Sequence, residues 1–200
     1  MHIVRIDKKS DKKQIVYFDN DTFCPLYTSE IRKYGIDADA EISKDTYREV
    51  YDMVVQKRAK LRAMNILQKF DKTERQLSEK LLQDGYDSDT VCAVIEYLKS
   101  YRYIDDYRYA ENYYEYHCEM QSRSAIKNKL LQKGISADIL EQIITDDLYD
   151  DTALDRLIEK KQIREKCTDA ESYRKQVGFL IRKGFSYDLI RRKLSENFKK

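Results

Sequence analysis

Two adjacent carboxylates are the first residues of this chain whose types suggest chemistry. Asp105 and Asp106 would suit an acid/base pair or a metal site, but neither a histidine nor a second acidic cluster stands at ligand spacing from them. Acidic residues at the start of a helix are typical capping residues. We therefore interpret this pair as the beginning of a helix.

Cysteine and histidine are sparse and dispersed. No Cys-x-x-Cys pair occurs, so the sequence predicts neither a zinc site nor a disulfide framework for Cys24, Cys92, Cys118 and Cys167. His2 and His117 are the two histidines, and each is expected to be structural or exposed, which leaves serine and cysteine nucleophiles without a base. A glycine-rich phosphate loop is also missing. We expect no enzyme activity, no cofactor and no metal.

Basic residues recur along the chain, and exposed lysines and arginines can follow phosphates or meet an acidic surface. Net charge is +2 overall, but −4 over residues 101–150 and +6 over residues 151–200. A simply solvated charged face remains the alternative. The candidate partner- or DNA-facing residues are Lys57, Arg58, Arg62, Arg123, Lys127, Lys129, Lys133, Arg182, Lys183, Arg191 and Arg192.

Eight tyrosines lie between residues 97 and 116, too many to face one core. Packing at the junction between two repeats, with the hydroxyls reaching water, is one interpretation. A protein-binding surface and a base-stacking surface are the other two.

Composition indicates which elements must position these residues. Five glycines and one proline in 200 residues argue against a turn-rich β architecture, so a mainly α protein is expected. No apolar run approaches the roughly 20 residues that span a bilayer. Residues 1–20 carry charge throughout, so neither a signal peptide nor a membrane segment is predicted, and we expect a cytoplasmic protein.

An internal repeat is visible around Gly85, Gly134 and Gly184, which are 49 and 50 residues apart. Apolar residues precede and follow each glycine at the same offsets, which is typical of a helix closed by a left-handed glycine. We expect positive φ at all three, so that Gly134→Val would be destabilising. The N-caps predicted for the following helices are Asp87, Ser136 and Ser186.

The organisation follows from this repeat. Three-helix repeats, nine helices in all, are predicted at 46–101, 102–148 and 149–200, in an elongated, curved stack. Their first helices are expected at about 46–69, 106–120 and 151–166. The second helices would be capped by Thr73 with Gln76, by Ser122 or Ser124, and by Thr168 with Glu171.

Residues 1–45 are expected to form a small β-hairpin extension. Strands are predicted at 2–6 and 14–18, with a short third strand near 22–26. A short helix at 29–34, closed by Gly35, and a linker at 36–43 would follow. A lone hairpin is marginal, so it must dock on the helices or on another partner.

Residues 103–135 carry a resemblance to a known family. The stretch Tyr103-Ile104-Asp105-Asp106-Tyr107-Arg108-Tyr109-Ala110, followed by Ile126, Leu130, Leu131 and Lys133-Gly134-Ile135, resembles the RecX family of recombinase regulators. The resemblance covers roughly residues 55–200. Arg102, Tyr109 and the stretch 120–122 depart from the family pattern. We interpret the motif residues Tyr103, Asp105, Asp106 and Ala110 and the three glycines as architectural.

The resemblance implies a monomeric, non-enzymatic modulator of homologous recombination, DNA repair and the SOS response. Such a protein would bind the RecA filament on single-stranded DNA and mostly inhibit its ATPase, co-protease and strand-exchange activities. A sequence-independent binder of single- or double-stranded DNA is the alternative, and a scaffold for unrelated proteins is the third.

Overall fold

The computed structural model describes residues 1–145 and 149–195. The predicted ends of the second repeat at 148 and of the third repeat at 200 lie outside these ranges. Among the described residues the chain is mainly helical, with one small antiparallel sheet. No described helix combines the length and apolar character needed to cross a bilayer.

The N-terminal sheet has the order β1 (Ile3–Lys8), β2 (Lys13–Phe18) and β3 (Phe23–Tyr27). Both predicted hairpin strands are confirmed, and the third strand forms one residue later than expected. Pro25 pairs with Ile15 in β3, which is the edge strand, where a residue without an N–H is tolerated.

The segment after β3 closes the other edge of the sheet. Helix α1 (Thr28–Tyr34) ends at Gly35, whose φ is 61°. Residues 36–43, expected to be a linker, return along β1: Ile3 N–H donates to Ala40 O at 2.9 Å, and Asp39 N–H donates to Ile3 O at 3.0 Å. The unpaired edge of β1 is therefore covered.

The first repeat begins with one continuous helix. It comprises α2 (Lys44–Arg48), a π-helical segment (Glu49–Gln56) and α3 (Lys57–Leu67), joined by residues with helical φ and ψ. Helices α4 (Glu74–Asp84) and α5 (Ser88–Ser100) complete this repeat.

The second and third repeats follow the same order. The second consists of α6 (Asp106–His117), α7 (Arg123–Gln132) and α8 (Ala137–Ile143). The third consists of α9 (Tyr149–Lys160), a short α10 (Ile163–Lys166), α11 (Ala170–Arg182) and α12 (Tyr187–Ser195). Two predicted helices are shorter than expected. The one predicted to 120 ends at His117, and the one predicted to 166 stops at Lys160 because Gln162 adopts a left-handed φ of 49°.

The glycine junctions are confirmed. Gly85, Gly134 and Gly184 have φ values of 96°, 95° and 92°. Each glycine N–H bonds back by three residues, and the next N–H bonds back by five, which is the Schellman pattern. The five-residue bonds run from Tyr86 to Leu81, from Ile135 to Leu130 and from Phe185 to Leu180.

Most predicted N-caps are also confirmed. Asp87, Ser136 and Ser186 accept hydrogen bonds from the backbone N–H three residues later, and Thr73 forms a capping box with Gln76. Of the two serines considered for α7, Ser122 is the cap.

The predicted Thr168–Glu171 box is wrong. Asp169 has the extended backbone of an N-cap, and its Oδ1 accepts from Ser172 N–H at 2.8 Å. The carboxylate is the stronger acceptor, so α11 starts one residue later than a Thr168 cap would require.

Two compact units contain these elements, residues 1–105 and the remainder of the chain. In the first unit the sheet and the first repeat share one core, in which Ile3, Val16 and Leu26 join Leu77 and Leu81. Phe18 also meets Tyr47 edge to face, with ring centroids 5.0 Å apart. The N-terminal sheet therefore docks on the helices of its own unit.

The second unit holds repeats two and three. One apolar cluster lies under α6–α8, around Ile126, Leu130 and Leu140, and another lies under α9–α12, around Leu154 and Leu180.

These two repeats meet where α7 starts and α11 ends. Ser122 N–H donates to Lys183 O at 3.0 Å. A Cβ added to Gly184 would overlap Ser122 Oγ and would lie 2.5 Å from Ala125 Cβ. Glycine is therefore required at 184 both for its backbone angle and for the close approach of α7.

Candidate functional site

The basic candidate residues fall into two groups. Lys57, Arg58 and Arg62 lie on α3 in the first unit. The others lie on or directly after three helices of the second unit: Arg123, Lys127, Lys129 and Lys133 with α7, Arg182 and Lys183 with α11, and Arg191 and Arg192 with α12.

Arg58 has a structural role inside the first unit. Its Nη1 donates to Pro25 O at 3.0 Å, it forms an ion pair with Glu30, and its guanidinium lies 4.6 Å from the centroid of the Tyr27 ring. Its side chain is only 20% exposed. Arg58 therefore fastens β3 and α1 to α3, whereas Lys57 on the same helix is exposed.

Ion pairs also engage residues of α12. Arg192 Nη2 lies 2.7 and 3.0 Å from the two carboxylate oxygens of Asp151, and Lys193 Nζ lies 2.6 Å from Asp155 Oδ2. Slight burial would raise the pKa of Asp151, but hydrogen bonds from Arg192 and Lys193 hold that pKa below its usual range. Arg192 thus ties α12 to α9.

Arg123 lies at the junction of repeats two and three. Its backbone N–H donates to Asp150 Oδ1 at 2.8 Å, and its side chain, 20% exposed, places Nε 3.8 Å from the same oxygen. This contact joins the start of α7 to the start of α9.

The remaining cations of the second unit face solvent more freely. Lys129, Arg182 and Arg191 are exposed, and within residues 1–145 and 149–195 none of the three forms an ion pair. Among the candidate residues of the second unit, these three are the best placed to meet an external anionic partner.

Three rings form a column along α6. Tyr109, Tyr113 and His117 are spaced by four residues and so share one helix face. The two tyrosine centroids are 6.4 Å apart, and the Tyr113 and His117 centroids are 4.2 Å apart. Lys133 Nζ lies 5.6 Å from the centroid of each tyrosine ring. This face of α6 therefore presents aromatic rings with the ammonium group of Lys133 beside them.

His117 lies where the lysines of α7 and α11 converge. Burial, followed by the charges of Lys129, Lys183 and Lys133, lowers the pKa of His117. The imidazole is thus neutral at pH 7, and Gln121 Nε2 lies 3.0 Å from its Nδ1. We call Tyr109, Tyr113, His117, Lys129, Lys133 and Lys183 the aromatic–basic surface.

The tyrosines and lysines of this surface were predicted separately from the sequence, whereas His117 was expected only to be structural or exposed. The spacing of 109, 113 and 117 is the signal that identifies one helix face. The approach of Lys183 depends on the packing of repeat three, which no local pattern shows.

The motif residues of the resemblance have architectural positions. Asp106 is the first residue of α6, Asp105 precedes it, and Ala110 is completely buried beneath that helix. Tyr103 is 49% exposed, and its ring stacks on Tyr101 with centroids 6.2 Å apart.

Cysteines and acidic groups offer no metal centre in the part of the chain that the structure describes: no three His, Cys, Asp or Glu side chains gather there as ligands. All four cysteines are free thiols. Cys24 is buried, and burial raises the pKa of its thiol, which disfavours the reactive thiolate.

Comparison with known proteins identifies the family. Family models for the first, second and third three-helix domains of RecX match residues 59–98, 105–144 and 149–194. The chain belongs to the RecX family. The resemblance drawn from residues 103–135 is thereby confirmed.

Relatives and solved structures agree with that assignment. The regulatory protein RecX of Clostridium perfringens (strain 13 / Type A) is 33% identical over 204 residues, covering 97% of this chain and 95% of the relative. The regulatory protein RecX of Clostridium tetani is 29% identical over 195 residues, covering 94% of this chain and 90% of that relative.

Two crystal structures share the fold. A regulatory protein RecX covers 98% of this chain and 99% of its own at a TM-score of 0.60 and 20% identity. The match to RecX from Lactobacillus salivarius covers 70% of this chain and 95% of the other chain, with a TM-score of 0.56 and 27% identity. The RecX family is one of regulatory proteins, and its three three-helix domains match the three helical repeats of this chain.

Proposed function

We propose that this protein binds the RecA filament on single-stranded DNA and lowers its ATP hydrolysis, and with it co-protease activity and strand exchange. Membership in a family of regulatory proteins supports a regulatory role. The observation that carries the proposal is the group of exposed cations on α7, α11 and α12, Lys129, Arg182 and Arg191, which are left available to a partner.

In this proposal the protein regulates RecA by remaining bound to the filament and not by catalysing a reaction. Exposed positive charge attracts the polyanionic filament over distances of roughly 8–10 Å at physiological salt and raises the association rate. Once bound, the folded repeats restrain the changes that accompany each round of hydrolysis by RecA. No covalent step by this chain is required, so the effect depends on its concentration relative to RecA.

A single-stranded-DNA-dependent RecA ATPase assay tests the proposal. Titration of the protein is expected to lower the steady-state rate. The triple variant Lys129→Glu, Arg182→Glu, Arg191→Glu should inhibit at least about tenfold more weakly at low salt, and the gap should narrow as salt rises.

A charge-matched control separates position from net charge. Arg156, Lys161 and Arg174 are also exposed in the second unit, and their reversal to Glu changes the total charge by the same amount. This control should inhibit like the parent. Equal weakening by both triple variants would refute the assigned surface, and an unchanged ATPase rate at several-fold excess of the parent would refute RecA inhibition.

A second candidate, sequence-independent DNA binding, is favoured by the aromatic–basic surface, because base stacking on rings beside lysines is how many proteins hold single strands. Without RecA, a direct binder should lose affinity steeply with salt, with a log–log slope of about −0.7 per phosphate contacted. Tyr113→Ala should then weaken oligonucleotide binding, whereas Tyr17→Ala in the N-terminal sheet should not.

A further inference from the structure

A small cleft opens in the first unit between the N-terminal sheet, α3 and the end of α4. Its volume is about 290 Å³, at the lower limit of the range of about 300–1,000 Å³ that is usual for small-ligand sites. Three cationic side chains, one carboxylate and two tyrosines line it: Lys13, Arg58, Arg62, Asp84, Tyr27 and Tyr86. We call this the N-terminal cleft.

Positive charge is in excess around the cleft. Asp84 is shared by Arg62, whose Nε lies 2.7 Å from Oδ2, and by Lys80, whose Nζ lies 3.6 Å from Oδ1. Lys13 donates to Asp84 O at 3.0 Å and lies 5.5 Å from the centroid of the Tyr86 ring, and Lys9 donates to Gln83 O at 2.6 Å. Neither lysine forms an ion pair with this carboxylate. Four cations thus surround a single carboxylate.

The other carboxylate nearby does not change this balance, because Glu30 is engaged by Arg58. Burial lowers the pKa of Lys13, the charges of Lys9, Arg58 and Arg62 lower it further, and Asp84 opposes them. The surroundings of the Lys13 ammonium group therefore carry a net positive charge.

Donors in the cleft remain unused. Arg62 is bonded through Nε alone, so both of its terminal nitrogens lack an acceptor among the described residues. Tyr27 and Tyr86 also line the cleft, with 41% and 2% of their surfaces exposed, and within the described residues neither hydroxyl donates a hydrogen bond. Two planar N–H₂ groups beside two hydroxyls match the oxygens of a phosphate.

We propose that the N-terminal cleft binds a phosphate group, with Arg62 and Lys13 as its cationic contacts and Tyr27 and Tyr86 as neutral donors. The anion would neutralise the surplus charge and accept the unused hydrogen bonds. The phosphate can belong to a free polyphosphate compound or to a nucleic-acid backbone, since both present the same oxygens. The cleft is formed by residues of the first unit and the RecA-directed cations belong to the second, so the two proposals rest on different residues and failure of the ATPase experiment leaves this one intact.

Calorimetric titration of the full chain with inorganic pyrophosphate at low salt tests the site. One molecule should bind per chain. Arg62→Gln should weaken binding at least about fivefold, while Lys57→Gln, which removes one charge from the same helix outside the cleft, should change it less than twofold. Asp84→Asn removes the competing carboxylate and should strengthen binding at least about twofold, a gain that a misfolded variant would not produce.

A single-stranded oligothymidylate competitor distinguishes the two sources. Displacement of pyrophosphate by the oligonucleotide, weakened by Arg62→Gln, supports a backbone phosphate as the natural ligand. Pyrophosphate binding without displacement supports a free phosphate compound. Absence of saturable pyrophosphate binding, or equal binding by the Arg62→Gln and Lys57→Gln variants, overturns the proposal.

Discussion

Two glycines six residues apart, Gly178 within α11 and Gly184 just after its end, show how differently the same residue type can act. Gly184 has a φ of 92° and lies against Ser122 and Ala125. Gly178, six residues earlier in the helix, has ordinary helical geometry, and a Cβ there would lie 3.6 Å from Arg182 Nη1, a normal contact.

Gly184→Ala is expected to lower the free energy of unfolding by about 2–4 kcal/mol, from the left-handed backbone and the overlap with Ala125 together. Gly178→Ala should raise it by about 0.5–1 kcal/mol, because alanine is the better helix former. Urea denaturation of both variants measures the difference. Equal effects would mean that neither the left-handed backbone of Gly184 nor the close approach of α7 contributes to stability.

His117 makes stability depend on pH. Its pKa in the folded chain lies below that of an unfolded histidine, about 6.5, so the unfolded state takes up a proton first as the pH falls. Stability is therefore complete above about pH 6.5 and declines as the pH falls toward the folded-state pKa.

His117→Gln should consequently lose less stability than the parent between pH 7.5 and 5.5, as measured by urea midpoints. In an NMR titration, Lys129→Gln should raise the pKa of His117 toward its ordinary value. An unmoved pKa would remove Lys129 from the aromatic–basic surface.

At the scale of elements, the N-cap of α5 differs from its counterparts in the other repeats. Asp87 is buried, and its carboxylate accepts from Thr90 N–H at 2.8 Å and from the Tyr51 hydroxyl. Thr90 Oγ1 in turn donates to Tyr51 Oη at 2.9 Å. Ser136 and Ser186 cap α8 and α12 at exposed positions.

Asp87→Ala should therefore cost about 2–4 kcal/mol of unfolding free energy, because it removes a cap and leaves a partly buried hydroxyl without its acceptor. Ser186→Ala should cost about 1 kcal/mol, the loss of a cap alone. Chemical denaturation followed by circular dichroism compares them. A similar loss of unfolding free energy in both variants would show that the hydrogen bond from Tyr51 to Asp87 does not contribute to stability.

Local sequence signals predicted the elements whose causes are local. The glycine turns, the Thr73 box and the N-terminal strands depend on neighbouring residues and are confirmed. The Thr168 box was wrong because two acceptors, Thr168 and Asp169, stand side by side, and the sequence does not decide between them. Residues 36–43 look like a linker because their hydrogen bonds go to β1, more than thirty residues away.

The candidate site was less predictable for the same reason. Sequence identified Arg58, Arg62 and Arg192 as basic but not that each has a carboxylate partner brought from a distant segment. Among the described residues, Lys129, Arg182 and Arg191 differ from these three in forming no ion pair, and which cations find a partner depends on how distant segments pack.

At the scale of the whole molecule, the first unit contains a complete core, drawn from Ile3 to Ile104. A fragment of residues 1–105 should therefore fold alone, with a cooperative thermal transition and a helical circular dichroism spectrum. Residues 1–45 should remain unfolded, since their sheet completes its core with Val50, Leu77 and Leu81. A broad, non-cooperative melt of the longer fragment would contradict this. The elongated, curved stack stays a prediction, which small-angle X-ray scattering of the full chain would test.

The start of α7 packs directly on the Gly184 turn, and this contact constrains how the number of repeats can change in evolution. Ser122 uses its hydroxyl to cap its own helix and its N–H to reach the carbonyl of Lys183, sixty-one residues away. Deleting the third repeat would expose Ala125 and deprive that N–H of its acceptor. A chain without the third repeat would therefore need compensating substitutions at the start of the equivalent helix, and a duplication that added a repeat would need to supply both the small residue and the glycine.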